Sequence, residues 1–173
     1  LVNFVPADVR MENYVRGKTI EAIINANEKV NRALKSGAYA IGAEIEINEI
    51  PGYLPLDQNK ELSALFADNL KAFIHEEDIV EGFDLTGSTD MGDLSGIMPI
   101  IHPTMGGFIG NAHSSEFKIV DAEMAYIIPA KTMALTVVDL LYDDAKHAQN
   151  IKANFIPSFT RESYVRFWDE LVK

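Results

Sequence analysis

Ala43-Glu44-Ile45-Glu46-Ile47-Asn48-Glu49-Ile50 runs directly into Pro51-Gly52-Tyr53-Leu54-Pro55-Leu56. The first stretch alternates apolar and acidic residues with period two. That pattern gives a strand with one buried face, the pattern of an antiparallel or one-sided sheet. The second stretch holds two prolines and a glycine within five residues and can sustain neither a helix nor a central strand. Strand followed by break sets the organisation: a small unit over residues 1–52 and a larger one over 56–173.

Upstream, residues 1–16 read as two short strands around Pro6-Ala7-Asp8, with Gly17 closing the second. Thr19 is placed to cap a helix running to about Ser36, with Gly37 as its stop. The first unit is therefore β-β-α-β, too small to hold a core alone. Downstream, Asp57 opens a helix through Phe73 carrying Leu62, Leu65, Phe66, Leu70 and Phe73. Ile79–Leu85, Gly96–Ile101 and Gly107–Ile109 suit strands, the last two buried. Pro129 marks a first helical turn. Met133, Val137, Leu140 and Leu141 give that helix a long face expected to be buried. Pro157 interrupts, and Thr160–Val172 forms a last helix with Tyr164, Phe167, Trp168 and Leu171 on one side. The fold class is α/β.

Composition narrows the function. Hydrophobic residues make up 47% and charged residues 24% of the 173, which suits a folded globular chain. A net charge of −11 repels phosphate backbones, so nucleic acid is a poor partner. The chain has no cysteine, which removes disulfides and thiolate ligands. No apolar run is expected to cross a bilayer, no signal peptide is visible, and a cytoplasmic location is expected. The opening Leu1-Val2-Asn3-Phe4-Val5-Pro6 is already strand-like and lacks an initiator methionine, which reads as a fragment.

Chemistry concentrates in about thirty positions: Gly87-Ser88-Thr89-Asp90-Met91-Gly92-Asp93, Ile101-His102-Pro103 and Gly110-Asn111-Ala112-His113-Ser114-Ser115-Glu116-Phe117. Small residues around His113 let an imidazole project, and imidazole is a common neutral metal ligand. One histidine does not make a metal site, which needs three or four ligands, and a hydrogen-bonded structural histidine is the commoner use. His102, at the end of an apolar run, reads as bonded to backbone or as facing substrate. Asp90 and Asp93 suit a turn or cap, or a carboxylate that orients a ligand histidine. Glu116 divides evenly between site residue and surface acid. Arg16 offers a planar fork for a substrate carboxylate or an ordinary ion pair. Ser114 and Ser115 lack the flanking glycines of a nucleophile elbow, so a serine hydrolase is a weak alternative.

Taken in order, Val2–Asp8, Tyr14-Val15-Arg16, Pro51-Gly52-Tyr53, Gly87–Gly92, Pro99–Pro103 and Ala112–Phe117 resemble the dinuclear-metal amidohydrolases related to aminoacylase, carboxypeptidase G and aminobenzoyl-glutamate hydrolase. The resemblance covers about residues 1–142 and is nearest to the aminobenzoyl-glutamate hydrolase and dipeptidase-like branch. It implies half of a lid or dimerisation domain over 1–52, then the C-terminal part of a mixed α/β metallopeptidase catalytic domain over 56–173. It implies hydrolysis of an amide bond in an N-acyl amino acid or dipeptide-like substrate, two Zn or Mn ions, and a homo-oligomer. His113 matches a metal ligand of the family; Asp90, His102, Glu116 and Arg16 fall near substrate or behind the ligands. The family's other ligands and its glutamate base have no counterpart in this chain, which is therefore expected to be inactive alone. The competing reading is a non-catalytic oligomerising interaction module.

Overall fold

The computed structural model describes residues 5–82 and 87–171. The chain divides into two units, Leu1–Glu49 and Ile50–Lys173.

The first unit is built on one helix, α1, Ile20–Ala40. Thr19 starts it as expected: its backbone is extended and its hydroxyl oxygen accepts from Ala22 N at 3.2 Å. The helix runs through Gly37 and ends at Ile41, whose N–H bonds back to Ala38 O. The turn beyond it uses Gly42, at φ +71. No residue of α1 is buried. Glu49 folds back on it and accepts hydrogen bonds from Asn27 and Asn31. Of the strands expected over 1–16 and Ala43–Ile50, residues 1–4 lie outside the described residues, and neither 5–16 nor Ala43–Ile50 forms a ladder. An alternating stretch becomes a strand only when a neighbour supplies ladder hydrogen bonds, and none does among the described residues.

The second unit holds the core. Helix α2, Lys60–Leu70, starts at Asn59, whose side chain accepts from Leu62 N at 2.9 Å. A short helix, α3, spans Met91–Ser95. Strands β1, Phe108–Ile109, and β2, Lys118–Ile119, form an antiparallel hairpin in register Phe108↔Ile119 and Ile109↔Lys118. A π-helical turn, Glu123–Ile127, leads into α4, Ile128–Asn154, with proline at its start. Tyr142–Ala145 leave helical geometry and break α4 in two, with Asp143, Asp144 and Ala145 at positive φ. Helix α5, Arg161–Leu171, is preceded by a reciprocal cap in which Ser163 N donates to Thr160 Oγ1 and Thr160 N to Ser163 Oγ.

Phe66 and Leu70 of α2 meet Ile128 of α4 at the core centre, with Phe73, Ile74, Ile101, Met105 and Met124 around them. Three expectations change here. Gly96–Ile101 forms a turn and coil after α3, and β1 is exposed rather than buried. The Ile79–Leu85 strand does not form over 79–82, and its remainder falls outside the described residues. The face of α4 is reversed: Met133, Val137 and Leu141 are exposed, whereas Thr132 and Thr136 are buried. The threonines tolerate burial because their hydroxyls donate to Ile128 O and Thr132 O, one turn back, at 2.8 Å each. Asn69 of α2 closes the joint by donating to Asp139 Oδ2 at 2.8 Å. One stretch, Glu123–Asn154, is also long and apolar enough to cross a membrane by length and composition, contrary to expectation. Lys131, Asp139 and the interspersed threonines mask that run in the sequence.

Candidate functional site

The Gly-Ser-Thr-Asp-Met-Gly-Asp segment reaches α3 through Asp90. Asp90 occupies the cap position with helical dihedrals, makes no capping bond, and accepts from Thr89 Oγ1 at 3.0 Å. The fastening residues are the next three polar or small ones. Gly92 packs so closely on the 54–55 backbone that a Cβ there would lie 1.9 Å from Leu54 O. Asp93 accepts from Leu54 N at 3.4 Å through one oxygen and from the Tyr164 hydroxyl at 3.0 Å through the other. Ser95 accepts from Asp57 N at 3.1 Å and donates to Gly92 O at 2.6 Å. Residues 54–57, α3 and α5 are thereby tied at one point.

Burial first, then the bond to Asp93, pushes the Tyr164 hydroxyl above the usual tyrosine range. The Trp168 indole pulls weakly the other way; its buried Nε1 lies outside hydrogen-bonding geometry with any partner. Tyr164 and Trp168 pack edge-on at 6.2 Å, and Phe159 and Phe167 complete the aromatic cluster. The tie by Asp93 and Tyr164 is not evident from sequence. The only signal was the second acid of the pair, and nothing marked a tyrosine 71 positions away as its partner.

His113 lies on the loop joining β1 to β2. It is exposed and holds φ +64, a left-handed conformation uncommon for a side-chain-bearing residue. The loop is compact. Gly110 at φ +85 opens it, where a Cβ would meet Glu116 O at 2.5 Å. Ser114 N donates to Asn111 O at 3.1 Å, and Phe117 N to Ser114 O at 3.2 Å. Phe108 and Phe117 stack at 5.0 Å across its neck. The Ser114 hydroxyl donates to Asn111 O and accepts from Glu116 N, so it is engaged in holding the loop. Glu116 is exposed.

His102 is exposed, and its own N–H donates to Gln58 Oε1 at 2.6 Å. Arg16, in the first unit, stacks its guanidinium over the Tyr14 ring at 5.1 Å. No hydrogen bond or ion pair joins any two of Asp90, His102, His113 and Glu116. Among the described residues no three His, Asp or Glu side chains converge as metal ligands would. The two divalent ions implied by the resemblance therefore do not fit the residues present. An open groove of about 650 Å³ runs along α1, lined by Glu28, Asn31, Arg32 and Lys35, and includes none of these positions.

His113 stands on a compact hairpin loop with no ligand cluster around it among the described residues. The chain resembles Xaa-Arg dipeptidases. It is 26% identical to the mouse Xaa-Arg dipeptidase over 155 residues, covering 83% of this chain and 35% of the relative. It is 25% identical to the human Xaa-Arg dipeptidase over 175 aligned positions, covering 94% of this chain and 39% of the relative. The chain thus spans little more than a third of the length of these relatives. No family model and no solved structure matches it.

Proposed function

We propose that this chain is one part of a metal-dependent amidohydrolase or peptidase acting on dipeptide-like or N-acyl amino acid substrates, and that its site is completed by polypeptide outside these residues. The carrying observation is the similarity to Xaa-Arg dipeptidases along more than four-fifths of the chain, beside described residues that hold His113 on a hairpin loop without a ligand cluster. A divalent ion held by fewer than three protein ligands is not a hydrolytic centre. His113 is the ligand this chain contributes. The Asp93 tie fixes the segment bearing Asp90. Residues 1–52 are half of a lid that contributes Arg16 toward a substrate carboxylate.

The test is direct. The purified chain, incubated with an Ala-Arg dipeptide and Zn²⁺ or Mn²⁺, is expected to release no arginine. A metal-dependent rate from the chain alone, abolished by His113→Ala, would sink the incompleteness. A second reading, the non-catalytic oligomerising module, draws support from the apolar face that α4 leaves uncovered.

A further inference from the structure

The break in α4 is strained. Tyr142 is extended, at ψ 153, and Asp143, Asp144 and Ala145 follow at φ +52, +55 and +58. Left-handed backbone costs every residue that carries a Cβ, and where it occurs it is used singly, not in runs. Aspartate tolerates it better than alanine, and neither glycine nor proline stands at 142–145. Backbone of this kind persists only where contacts around it hold it, and it clusters in segments that switch.

The holding contacts lie on α2. Before the break, Asn69 donates to Asp139 Oδ2 at 2.8 Å; beyond it, Asn154 donates to Glu61 Oε1 at 3.0 Å. At the helical rise, Glu61 and Asn69 stand about 12 Å apart along α2, whereas Asp139 and Asn154 on a straight α4 would stand about 22 Å apart. A straight α4 therefore keeps one of these bonds and loses the other; the break shortens the helix so that both form. The same shortening brings Leu140 and Ile151 together around one cavity of about 160 Å³, lined also by Leu62 of α2 and by Pro99. On a straight helix those two residues would be about 16 Å apart. Among the described residues of α4 beyond the break, Ile151 alone is buried. The second half is thus held to α2 by one buried side chain and one exposed hydrogen bond, beside space that close packing would fill. At the break itself, Lys146 pairs with Asp143, and Gln149 Nε2 donates to Asp144 O at 2.8 Å. That half leads directly into α5, whose Tyr164 holds Asp93.

We propose that α4 is a two-state helix with a latch. In the closed state α4 is broken at 142–145, Ile151 sits against α2, and Asn154 is bonded to Glu61. In the open state 142–145 are helical, α4 runs unbroken, and both contacts are released. Backbone strain at the break favours the open state, and the two contacts favour the closed one. Removing a contact opens the helix; relieving the strain keeps it closed.

The chain has no cysteine, so Ala134→Cys and Asn150→Cys place one spin label on each side of the break at exposed positions. On a straight α4 their backbones stand about 24 Å apart; the break brings them closer. Pulsed electron paramagnetic resonance on the full chain should show the shorter distance as the major population. Asn154→Ala, at an exposed position, should raise the fraction at the longer distance at least fivefold without loss of helical circular dichroism, and Ile151→Ala should act in the same direction. Adding Ala145→Gly to Asn154→Ala should reverse the gain, because glycine relieves the left-handed residue in the closed state and weakens the helix in the open one. A general loss of stability predicts no such reversal. A wild-type chain already at the longer distance overturns the proposal, as does a distribution that neither Asn154→Ala nor Ile151→Ala moves. So does a broad distribution with reduced helical signal, which would mean that the second half unfolds instead of straightening.

Discussion

Gly92→Ala tests whether α3 is bolted to the 54–57 segment as described. A Cβ at Gly92 would lie 1.9 Å from Leu54 O and 2.8 Å from Leu54 C, against a floor near 3.0 Å for real contacts, so the two backbones must part by at least about 1.1 Å. The obstacle is main chain, and no rotamer change relieves it. A shift of that size lengthens the bonds from Leu54 N to Asp93, now 3.4 Å, and from Asp57 N to Ser95, now 3.1 Å, beyond useful range. Two lost bonds at about 1 kcal/mol each, added to about 1–3 kcal/mol for overpacking, give a destabilisation of about 3–5 kcal/mol. Urea unfolding followed by Trp168 fluorescence should show it as a fall in midpoint of roughly 1–2 M. Gly52→Ala is the control: nothing lies within 4 Å of its Cβ, and a change under about 0.5 kcal/mol is expected. Ser95→Ala should cost about 1–2 kcal/mol alone and about half of that in the Gly92→Ala background, where the bond to Asp57 N is already gone and the one to Gly92 O remains. A Gly92→Ala protein as stable as wild type, or full additivity with Ser95→Ala, refutes the bolted arrangement.

Tyr164→Phe removes the hydroxyl from Asp93 and should cost about 1 kcal/mol in the same urea assay. Because the folded-state tyrosine is raised, its contribution is present below about pH 10 and lost as pH climbs through the raised value; melts from pH 8 to 11 should fall for wild type and flatten for the variant. Glu49 titrates in the opposite sense: the amides of Asn27 and then Asn31 hold its carboxyl below the usual range, so its contribution is present above about pH 4 and lost as pH falls through the lowered value. Glu49→Gln should remove that acid-side loss in the α1 circular dichroism signal. Ala145→Gly relieves one left-handed residue at the break in α4 and should raise stability by about 1 kcal/mol, seen as a higher Tm; a lower one would contradict the positive φ.

Local signals were legible because their causes are local. Thr19 caps its helix through an oxygen three residues from the N–H it accepts, and Pro129 suits a first turn whatever surrounds it. Signals that need a partner elsewhere were not. The Ala43–Ile50 alternation describes a strand, yet no neighbour among the described residues bonds to it. His113 was visible because small residues surround it, and its loop does project it. Its companions were not, since no others converge among the described residues. Asp93 was passed over for Asp90 because two acids three apart look equivalent until a tyrosine from α5 bonds to one of them.

Helix α4 shows why such failures carry information. Period alone finds the apolar face of a helix and assumes that this face turns inward. In α4 the stripe of Met133, Val137 and Leu141 is real, but the side turned to α2 is the one carrying Thr132, Thr136 and Asp139. A threonine at 0% exposure is stable only because its hydroxyl returns to the helix backbone, a use that hydropathy does not register. Both readings hold if the helix has two packing faces, one occupied within this chain and one not. Among the described residues, neither feature is matched by a second element: the outer face stays exposed, and no further ligands converge on His113. Val137→Glu tests the outer face directly: at 52% exposure the residue carries little packing, so a stability change under about 0.5 kcal/mol is expected in the urea assay, and a loss of several kcal/mol would show that the face is covered.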